Sequence, residues 1–222
     1  MFPVFTNGTL LTEDYLRLFD KNRNLVPILS IDGDANATDQ RRGGGMYDLL
    51  LTVMDELDAR GILFGVSVTV TKENLPNVTG DAFLNELRIR GCKVILYVEY
   101  VPVDETAKAS APSEEERRYL MNKLCELRTN REGMIFISFP GDEKASGGCL
   151  AAGRGFFHIN ANGGAEPCPF SPYSDTNLKE KSLKEALRSP LFQKLTSGDI
   201  LTMPHEGGCV LFEREAVVKQ LC

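Results

Sequence analysis

The chain has 222 residues, of which 42% are hydrophobic and 25% are charged, and its formal net charge is −6. This composition is ordinary for a globular protein with a real core, and the acidic balance argues against nucleic acid as a main partner. No apolar run approaches the roughly eighteen residues that a membrane span needs, and the N-terminus lacks the basic region of a secretory signal. We therefore predict one large domain, or one and a half, in the cytoplasm, without a membrane or nucleic-acid partner.

The first part of the chain alternates between β-rich runs and helical patterns, with a spacing of about thirty residues. Such alternation predicts right-handed crossovers and a parallel sheet, so we assign the α/β class. The runs are mixed apolar stretches, which is typical of parallel strands buried on both faces. The predicted strands span residues 2–6, 25–31, 62–71, 93–101 and 134–139.

Capping residues and glycines mark the ends of the intervening helices. Thr12 begins the first helix, Gly61 and Gly91 end the second and third, and Ser113 with Glu116 forms a capping box for the fourth. A second capping box, much later in the chain, predicts a short helix that a proline interrupts. The predicted helices span residues 12–22, 46–60, 80–90 and 113–131, and the short one begins at Ser182 with Glu185 and is interrupted at Pro190.

One predicted strand carries its hydroxyl groups on a single face. Ser67, Thr69 and Thr71 alternate with valines, so the three hydroxyls share one side of the strand. A row of this kind either faces solvent or lines the wall of a polar ligand cavity. The sequence alone leaves both interpretations open.

The composition changes after Phe139, where glycine and proline become frequent and the regular alternation stops. We place a domain boundary near residue 144, which divides the chain into domains 1–144 and 145–222. No repeat beyond the βα unit and no low-complexity tract is present.

A β-hairpin is predicted in the second domain. Asn162-Gly163 lies between the strand-like runs 155–159 and 165–170, and both turn residues of such a pair are expected to have positive φ. The hairpin would bring Cys149 and Cys168 back toward each other.

Three cysteines form a candidate metal site. Cys149, Cys168 and Cys209 each lie among glycines and prolines, in turns where a backbone can wrap an ion. Soft thiolates suit an iron–sulfur cluster or zinc. The alternatives are unrelated buried thiols or a disulfide, and the disulfide is disfavoured because nothing indicates secretion.

The other three cysteines have simpler interpretations. Cys92 opens a strand and Cys125 lies on the predicted apolar face of a helix, so both are predicted to be buried core residues. Cys222 is the last residue and is predicted to be an exposed terminal thiol.

These segments together resemble the radical S-adenosylmethionine (radical SAM) enzymes. Cys149-x13-Gly163-x4-Cys168 satisfies the Cys-x(9–15)-Gly-x4-Cys signature with which SPASM and twitch-type extensions begin. The chain resembles such an enzyme from the third barrel strand onward, with a C-terminal extension made of a cysteine-rich β-hairpin and a helix. The remaining matching segments are Thr6-Asn7-Gly8, Ser30-Ile31-Asp32-Gly33, residues 41–47, the hydroxyl-bearing run 65–71, residues 97–103 and Ser189-Pro190-Leu191-Phe192.

The resemblance implies a partial parallel (β/α) barrel, with S-adenosylmethionine and an auxiliary [4Fe–4S] cluster as cofactors and a peptide or protein as substrate. Ligand groups in such barrels gather at the carboxyl ends of the strands. Ser30 or Asp32 would hydrogen-bond a ribose hydroxyl, and Arg41 or Arg42 would hold the methionyl carboxylate. The rest of the implied set is Asn7, Ser67 and Thr69 for the cofactor and Cys149, Cys168 and Cys209 for the cluster.

Polar residues elsewhere admit two interpretations each. Arg41 and Arg42 each also fit a solvent-exposed position at the start of a helix. Asp142 and Glu143, just past the last predicted strand, fit an acid, base or peptide-binding role or a plain polar loop.

Two hallmarks of the family are missing. The sequence contains no Cys-x3-Cys-x2-Cys loop, which would bind the cluster that cleaves S-adenosylmethionine, and no Gly-Gly-Glu motif. The chain begins where the third barrel strand would begin, so we expect a fragment that makes no 5′-deoxyadenosyl radical by itself and binds S-adenosylmethionine weakly or not at all. An N-terminal part encoded separately would supply the missing loop.

The chain also has fewer cysteines for the auxiliary cluster than a full SPASM domain. The resemblance therefore implies the smaller twitch arrangement, with one cluster. One iron would then be open to substrate, water, His205 or Cys222. A competing hypothesis is a non-catalytic module in which the three cysteines and His158 or His205 hold structural zinc. A generic nucleotide-binding domain is disfavoured, because no strand leads into a glycine-rich phosphate loop.

Overall fold

A computed structural model describes residues 1–102, 107–130, 133–205 and 208–222. The end of the predicted fourth helix at residue 131, the segment 103–106 after the fourth strand and Gly207 beside Cys209 lie outside the described residues. The chain divides into two compact units, Met1–Phe139 and Pro140–Cys222.

The N-terminal unit is an α/β structure built on a five-stranded parallel sheet in the order β1-β2-β3-β4-β5. The predicted class and the parallel pairing are therefore confirmed. Each strand follows the previous one in space as in sequence, so a crossover connection joins each pair of neighbouring parallel strands. The strands are β1 (Phe2–Thr6), β2 (Leu25–Ser30), β3 (Gly65–Val70), β4 (Val94–Glu99) and β5 (Ile135–Phe139).

Six α-helices lie in the described part of this unit. The four helices predicted from apolar periodicity are present, and two more were not predicted. One of these two, ANATDQRR, buries only Thr38 and so has no apolar stripe, and the other has 4 residues. The helices are α1 (Glu13–Lys21), α2 (Ala35–Arg42), α3 (Met46–Ala59), α4 (Leu75–Val78), α5 (Asp81–Ile89) and α6 (Glu114–Asn130).

One face of the sheet forms the core. Leu29, Val66, Ile95 and Phe136 lie side by side in register, and each is buried. The apolar stripes of α1, α3, α5 and α6 pack against this face in one continuous cluster. Burial of this apolar area is the main stabilising contribution to the unit.

The opposite face of the sheet is open from β3 to β5, whereas in β2 Leu29 on the core face and Ile28 on this face are both buried. Ser67 and Thr69 of β3 are half-buried, and Ile135 and Ile137 of β5 are 60% and 41% exposed. Along β3, β4 and β5 the pattern alternates, so the prediction of strands buried on both faces is wrong there. The edge strand β1 is also exposed, with Phe5 at 55%.

The C-terminal unit has little regular structure. Its two strands, β6 and β7, pair antiparallel with only two residues each. Buried apolar side chains such as Phe192 and Leu211 form its core. Its elements are β6 (His158–Ile159), β7 (Ala165–Glu166), α7 (Leu183–Ala186), α8 (Pro190–Ser197), α9 (Val210–Glu213) and α10 (Glu215–Leu221).

The turn between β6 and β7 differs from the predicted one. Gly163 has φ +88°, but Asn162 does not have positive φ. The side chain of Asn160 explains this, because its Oδ1 accepts hydrogen bonds from the backbone N–H groups of Asn162 and Gly164, both at 2.9 Å. An asparagine side chain thus organises a longer loop in place of the two-residue turn.

The helices in the described ranges of the chain include none long and apolar enough to cross a membrane.

Candidate functional site

A buried carboxylate with two arginines lies just beyond the carboxyl end of β2. Asp32 is 1% exposed, and its two oxygens accept hydrogen bonds from Arg41 Nη1 at 3.0 Å and Arg42 Nε at 2.5 Å. The arginine side chains are 41% and 20% exposed. Two guanidinium groups around one carboxylate leave one net positive charge, which suits an anionic group of a ligand.

The local sequence explains how α2 carries the arginines back to Asp32. The side chain of Asp34 caps the helix by accepting from Ala37 N at 3.0 Å. The Thr38 hydroxyl accepts from Asp32 N at 3.2 Å and donates to Gly33 O at 3.0 Å. Gly33 has φ +131°, and a Cβ there would lie 2.5 Å from Asn77 Oδ1, so only glycine fits this turn.

Asn74 joins the ends of β2 and β3, and its role was not found from the sequence. Its Nδ2 donates to the carbonyl oxygens of Asp32 at 3.0 Å and Thr69 at 2.9 Å, while its Oδ1 accepts from Thr71 N at 2.8 Å. The asparagine is buried, so all three bonds hold the two strand ends in one arrangement. The sequence does contain a signal for this role, because Asn74 follows Thr71 by three residues, just past the end of a strand.

A polar cavity of about 450 Å³ opens at these strand ends. Asp32 and Arg41 line it from one side, and Thr71, Asn74 and Asn77 line it from the other. This volume lies in the range of small-molecule sites, which is about 300–1,000 Å³. Asp34 and Glu73 also line it, so three carboxylates and one guanidinium, that of Arg41, face a polar ligand in this cavity.

The hydroxyl residues form a second group, on the open face of the sheet. Ser30 lies directly opposite Ser67 in the β2–β3 register, and Thr69 follows two residues later on the same face. All three are half-buried. They do not line the 450 Å³ cavity, so the structure divides the predicted cofactor residues between the cavity and the sheet face.

Asn7 has a local role in the turn after β1. Its Oδ1 accepts hydrogen bonds from Thr9 N at 3.1 Å and Thr9 Oγ1 at 2.8 Å, and the residue is exposed. This oxygen is engaged within the turn.

The second candidate site consists of three thiols in the C-terminal unit. Cys149, Cys168 and Cys209 are buried, at 8%, 2% and 9% exposure. Each of the three thiols shifts the pKa of at least one of the other two, so they lie near one another. Burial raises the pKa of Cys149 to about 12. The interaction between Cys168 and Cys209 lowers the pKa of Cys209 and raises that of Cys168.

Backbone contacts place the first two thiols. Gly148 has φ +109°, and a Cβ there would lie 2.7 Å from Leu201 O, so glycine permits this close approach. Cys149 N donates to the same Leu201 carbonyl at 2.8 Å. Ala152, the only described non-glycine residue with positive φ, donates its N–H to Pro167 O at 3.1 Å and so ties the two cysteine loops together.

Backbone amides lie close to the sulfur atoms. The amide of Ala151 acts on Cys149, that of Phe170 on Cys168, and those of Leu211 and Phe212, at the start of α9, on Cys209. Each of these amides lowers the pKa of the thiol on which it acts. Hydrogen bonds to sulfur are among the means by which proteins tune iron–sulfur clusters.

A buried hydroxyl beside Cys168 has no partner among the described residues. Ser171 is 1% exposed and its Oγ makes no hydrogen bond, although its backbone N–H donates to Cys168 O at 3.0 Å. A buried donor of this kind calls for a partner, and a thiolate-bound group at Cys168 supplies one.

The chemistry of the three thiols and their arrangement point in different directions. Across the described ranges, no three His, Cys, Asp or Glu side chains converge closely enough to hold one metal ion. Thiolates are nevertheless the donor type that iron–sulfur clusters and zinc take, and the Ser171 hydroxyl nearby has no described partner.

The remaining cysteines divide as follows. Cys92 is buried and Cys222 is exposed, which confirms both predictions. Cys125 is exposed, so the prediction that it belongs to the core is wrong. In α6 the buried positions are Leu120, Leu124 and Leu127, and Cys125 therefore follows one position past the apolar stripe.

One acidic side chain contacts the thiol site. Glu143 is 8% exposed and accepts from Leu150 N at 3.2 Å. Burial raises its pKa, and the Leu150 N–H, the nearby Cys149 thiol and the charges of His205 and Arg154 offset that effect only in part. His205 itself is exposed, with Nδ1 3.2 Å from Met203 O.

No protein-family model matches the chain, and no curated protein matches it in sequence. Solved structures do share its fold. The Streptococcus suis protein SuiB bound to S-adenosylmethionine superposes with a TM-score of 0.72 at 19% identity, covering 96% of this chain and 56% of SuiB. SuiB bound to its precursor peptide SuiA gives 0.71 at 19% identity, with the same coverage.

A third structure, anSMEcpe with bound AdoMet, gives a TM-score of 0.65 at 14% identity and covers 92% of this chain and 58% of its own. The chain therefore spans a little over half the length of these proteins. At 14–19% identity, these likenesses show a common fold.

Proposed function

We propose that the chain is part of a radical SAM protein that modifies a peptide or protein substrate. The observation that carries this proposal is the fold shared with SuiB, whose structures hold S-adenosylmethionine and a precursor peptide. The gathering of three thiols in the C-terminal unit supports it independently. Residues 1–144 would be a partial radical SAM barrel and residues 145–222 a twitch-like region with an auxiliary [4Fe–4S] cluster.

In this proposal Arg41 and Arg42 bind the methionyl carboxylate of S-adenosylmethionine. Asp32 has one guanidinium on each oxygen, so we assign it to positioning the arginines and not to direct contact with ribose. Ser30, Ser67 and Thr69 then offer hydroxyls for ribose, since they lie together on the open face of the sheet.

Cys149, Cys168 and Cys209 would hold the auxiliary cluster. Such a cluster supplies one-electron transfer or an iron that binds substrate. The residues around it keep the thiolates in place, because backbone amides lie close to each sulfur and the three side chains are buried.

The cluster that cleaves S-adenosylmethionine must come from outside these 222 residues, since they contain no Cys-x3-Cys-x2-Cys loop. We propose a companion segment with further βα units, either joined to this chain or encoded separately. The edge strand β1, with Phe2 and Phe5 at 62% and 55% exposure, offers unpaired backbone groups and apolar side chains for the next strand.

A fusion experiment tests the proposal. With reductant and S-adenosylmethionine, the 222-residue chain should form no 5′-deoxyadenosine. The same chain fused after two βα units that carry a Cys-x3-Cys-x2-Cys loop should form it, and a fusion with those cysteines changed to alanine should not. Robust turnover by the 222-residue chain, or a silent fusion that is folded and loaded with iron, would contradict the proposal.

Titration calorimetry tests the cofactor residues separately. Without the missing segment, S-adenosylmethionine loses two or three charge-assisted hydrogen bonds of about 1.5–3 kcal/mol each, which weakens binding by orders of magnitude. We expect millimolar affinity or none, with Asp32→Ala removing any that remains. Micromolar binding that survives Asp32→Ala would place the ligand elsewhere.

A further inference from the structure

A second cavity, of about 350 Å³, lies on the C-terminal unit beside the helical turn 182–189. Three of its lining side chains are cationic, those of Lys181, Lys184 and Arg188, and one is anionic, that of Glu185. All four residues are exposed. The whole chain has a net charge of −6, so the charge of this basic cavity is opposite in sign to that of the chain.

The carboxylate of Glu185 is already engaged within its own turn. Its Oε2 accepts hydrogen bonds from Ser182 N at 2.9 Å and Ser182 Oγ at 2.7 Å, which is the capping box of α7. Its Oε1 lies 3.6 Å from Lys181 Nζ. Glu185 therefore neutralises Lys181 and leaves the other two cations uncompensated.

Lys184 and Arg188 have no counter-ion of their own. Among the residues that the structure describes, neither side chain makes an ion pair or a hydrogen bond. The two residues are four positions apart, and Leu187 N donates to Leu183 O at 3.0 Å, so the helical turn continues between them. Like charges at this spacing repel each other, and an anion bound between them would remove that repulsion.

The turn that carries the two cations is fixed in place. Ala186 and Ser189 are buried, at 0% and 2% exposure. Ser189 Oγ accepts from Phe192 N at 3.2 Å, and Asp175 Oδ2 accepts from Leu191 N at 2.7 Å. Since these acceptors occupy the first amides of α8, the preference of the cavity for an anion comes from the Lys184 and Arg188 side chains.

Apolar side chains on the same turn favour a peptide over a small free anion. Leu183 and Leu187 are 56% and 43% exposed, and each directly precedes one of the two cations in sequence. A peptide that places a carboxylate in the cavity can cover these leucines and gain from burying them. A free phosphate ion or amino acid gains little from them.

We propose that the basic cavity is a docking site for an acidic segment of the peptide substrate. A glutamate or aspartate side chain of the substrate lies between Lys184 and Arg188, and a neighbouring apolar side chain packs against Leu183 and Leu187. This rests on the proposed function, which supplies the peptide. The site selects and holds the substrate and takes no part in the chemical step.

Fluorescence anisotropy of dye-labelled peptides tests the proposal on the 222-residue chain. The probes are twelve-residue peptides of Gly-Glu-Leu-Ser repeats, with Gly-Gln-Leu-Ser and Gly-Lys-Leu-Ser repeats as neutral and basic counterparts. The variants are Lys184→Gln with Arg188→Gln and, as the matched control, Arg214→Gln with Lys219→Gln. The control residues are exposed positions of the same unit that do not line the cavity, and both double variants change the net charge equally.

We expect wild type to bind the glutamate peptide more tightly than the glutamine peptide and the lysine peptide least. Lys184→Gln with Arg188→Gln should weaken glutamate-peptide binding about tenfold, whereas the control should stay within about twofold of wild type. Lys184→Glu with Arg188→Glu should transfer the preference to the lysine peptide, which a misfolded chain would not do. Free glutamate or inorganic phosphate, at matched ionic strength, should displace the peptide only weakly.

Equal binding of the glutamate and glutamine peptides, or equal losses in the two double variants, would overturn the docking site. Complete displacement by free glutamate or phosphate at the concentration of the peptide would mean that the cavity takes a small anion instead. The measurement needs neither S-adenosylmethionine nor a cluster. A charge-selective cavity with a silent fusion protein therefore defeats the proposed function alone, and an active fusion protein without charge-selective binding defeats the docking site alone.

Discussion

The unit Met1–Phe139 holds five paired strands and a helix of 17 residues over one continuous apolar core. The unit Pro140–Cys222 has strands of 2 residues, and its longest helix has 8. In the first unit, the positions of the strands and helices follow from the periodic burial of apolar side chains. In the second, single hydrogen bonds such as Ala152 N to Pro167 O set the position of the chemical groups. The comparison teaches that the C-terminal unit, with little regular structure, depends more on individual contacts, and in the proposed function a cluster on its three thiols would add a further constraint.

Of the changes considered, removal of a bound metal should have the largest effect on the difference between the two units. Chelation of the reconstituted chain, or Cys168→Ala, should remove hydrogen-exchange protection from residues 140–222 while leaving residues 1–139 unchanged. Structural metal sites contribute on the order of 10 kcal/mol to folding, which is larger than any single side-chain effect expected here. Equal protection of the C-terminal unit with and without metal would show that its apolar core suffices.

The converse change is made in the apolar core of the N-terminal unit. Phe64→Ala removes a side chain that is 1% exposed in the core of the N-terminal unit, so we expect a loss of about 3–5 kcal/mol in the free energy of unfolding. Urea unfolding measures it, and iron per folded chain should not change. Phe5→Ala, at 55% exposure, is the matched control and should cost less than about 1 kcal/mol.

The N-terminal unit also contains a site that depends on individual polar contacts. At the end of β2, the buried carboxylate of Asp32 is held by Arg41 and Arg42. Asp32→Asn removes one anionic acceptor from two arginines and should lower stability by about 2–3 kcal/mol. Arg42→Gln should cost more than Arg41→Gln, since the Arg42 side chain is 20% exposed and that of Arg41 is 41% exposed. Thermal unfolding measures all three, and equal effects of the two arginine variants would contradict this account.

The smallest effect is a dependence on pH at the start of α3. Asp39 accepts hydrogen bonds from Tyr47 N and Gly45 N, both at 2.8 Å, and these bonds lower its pKa below the ordinary value of 3.8. Its stabilising contribution is therefore complete above the unfolded pKa and is lost as pH falls through the lower folded pKa. Asp39→Asn should make the acid limb of the stability profile shallower. An unchanged limb would mean that Asp39 ionises alike in both states.

Much of the N-terminal unit was predictable, and the reasons are physical. Apolar runs and capping residues located the strands and the four long helices, because burial and backbone satisfaction act on residues close in sequence. Helix α2 was not predicted, since its one buried residue is Thr38 and its position depends on Asp34, Thr38 and Asp32. The open face of the sheet was also not predicted, because the sequence period cannot show which face lacks a partner.

The candidate sites were predictable only as sets of residue types. Spacing and turn composition selected Cys149, Cys168 and Cys209, and the structure gathers these three thiols in one unit. The roles of Asn74 and Glu143 depend on contacts between turns that no local pattern encodes. The error at Cys125 came from a single position on a helix, where a shift of one residue turns the side chain away from the core.

The central claim is that three thiols of the C-terminal unit hold an iron–sulfur cluster. The most direct measurement is iron, sulfide and zinc per chain after anaerobic reconstitution, for wild type, Cys149→Ala, Cys168→Ala, Cys209→Ala and the control Cys92→Ala. We predict a brown wild type and Cys92→Ala with about four irons and about four sulfides, and loss of the visible absorption in Cys168→Ala. A colourless wild-type chain with one equivalent of zinc, or iron that survives in all three site variants, would contradict the claim.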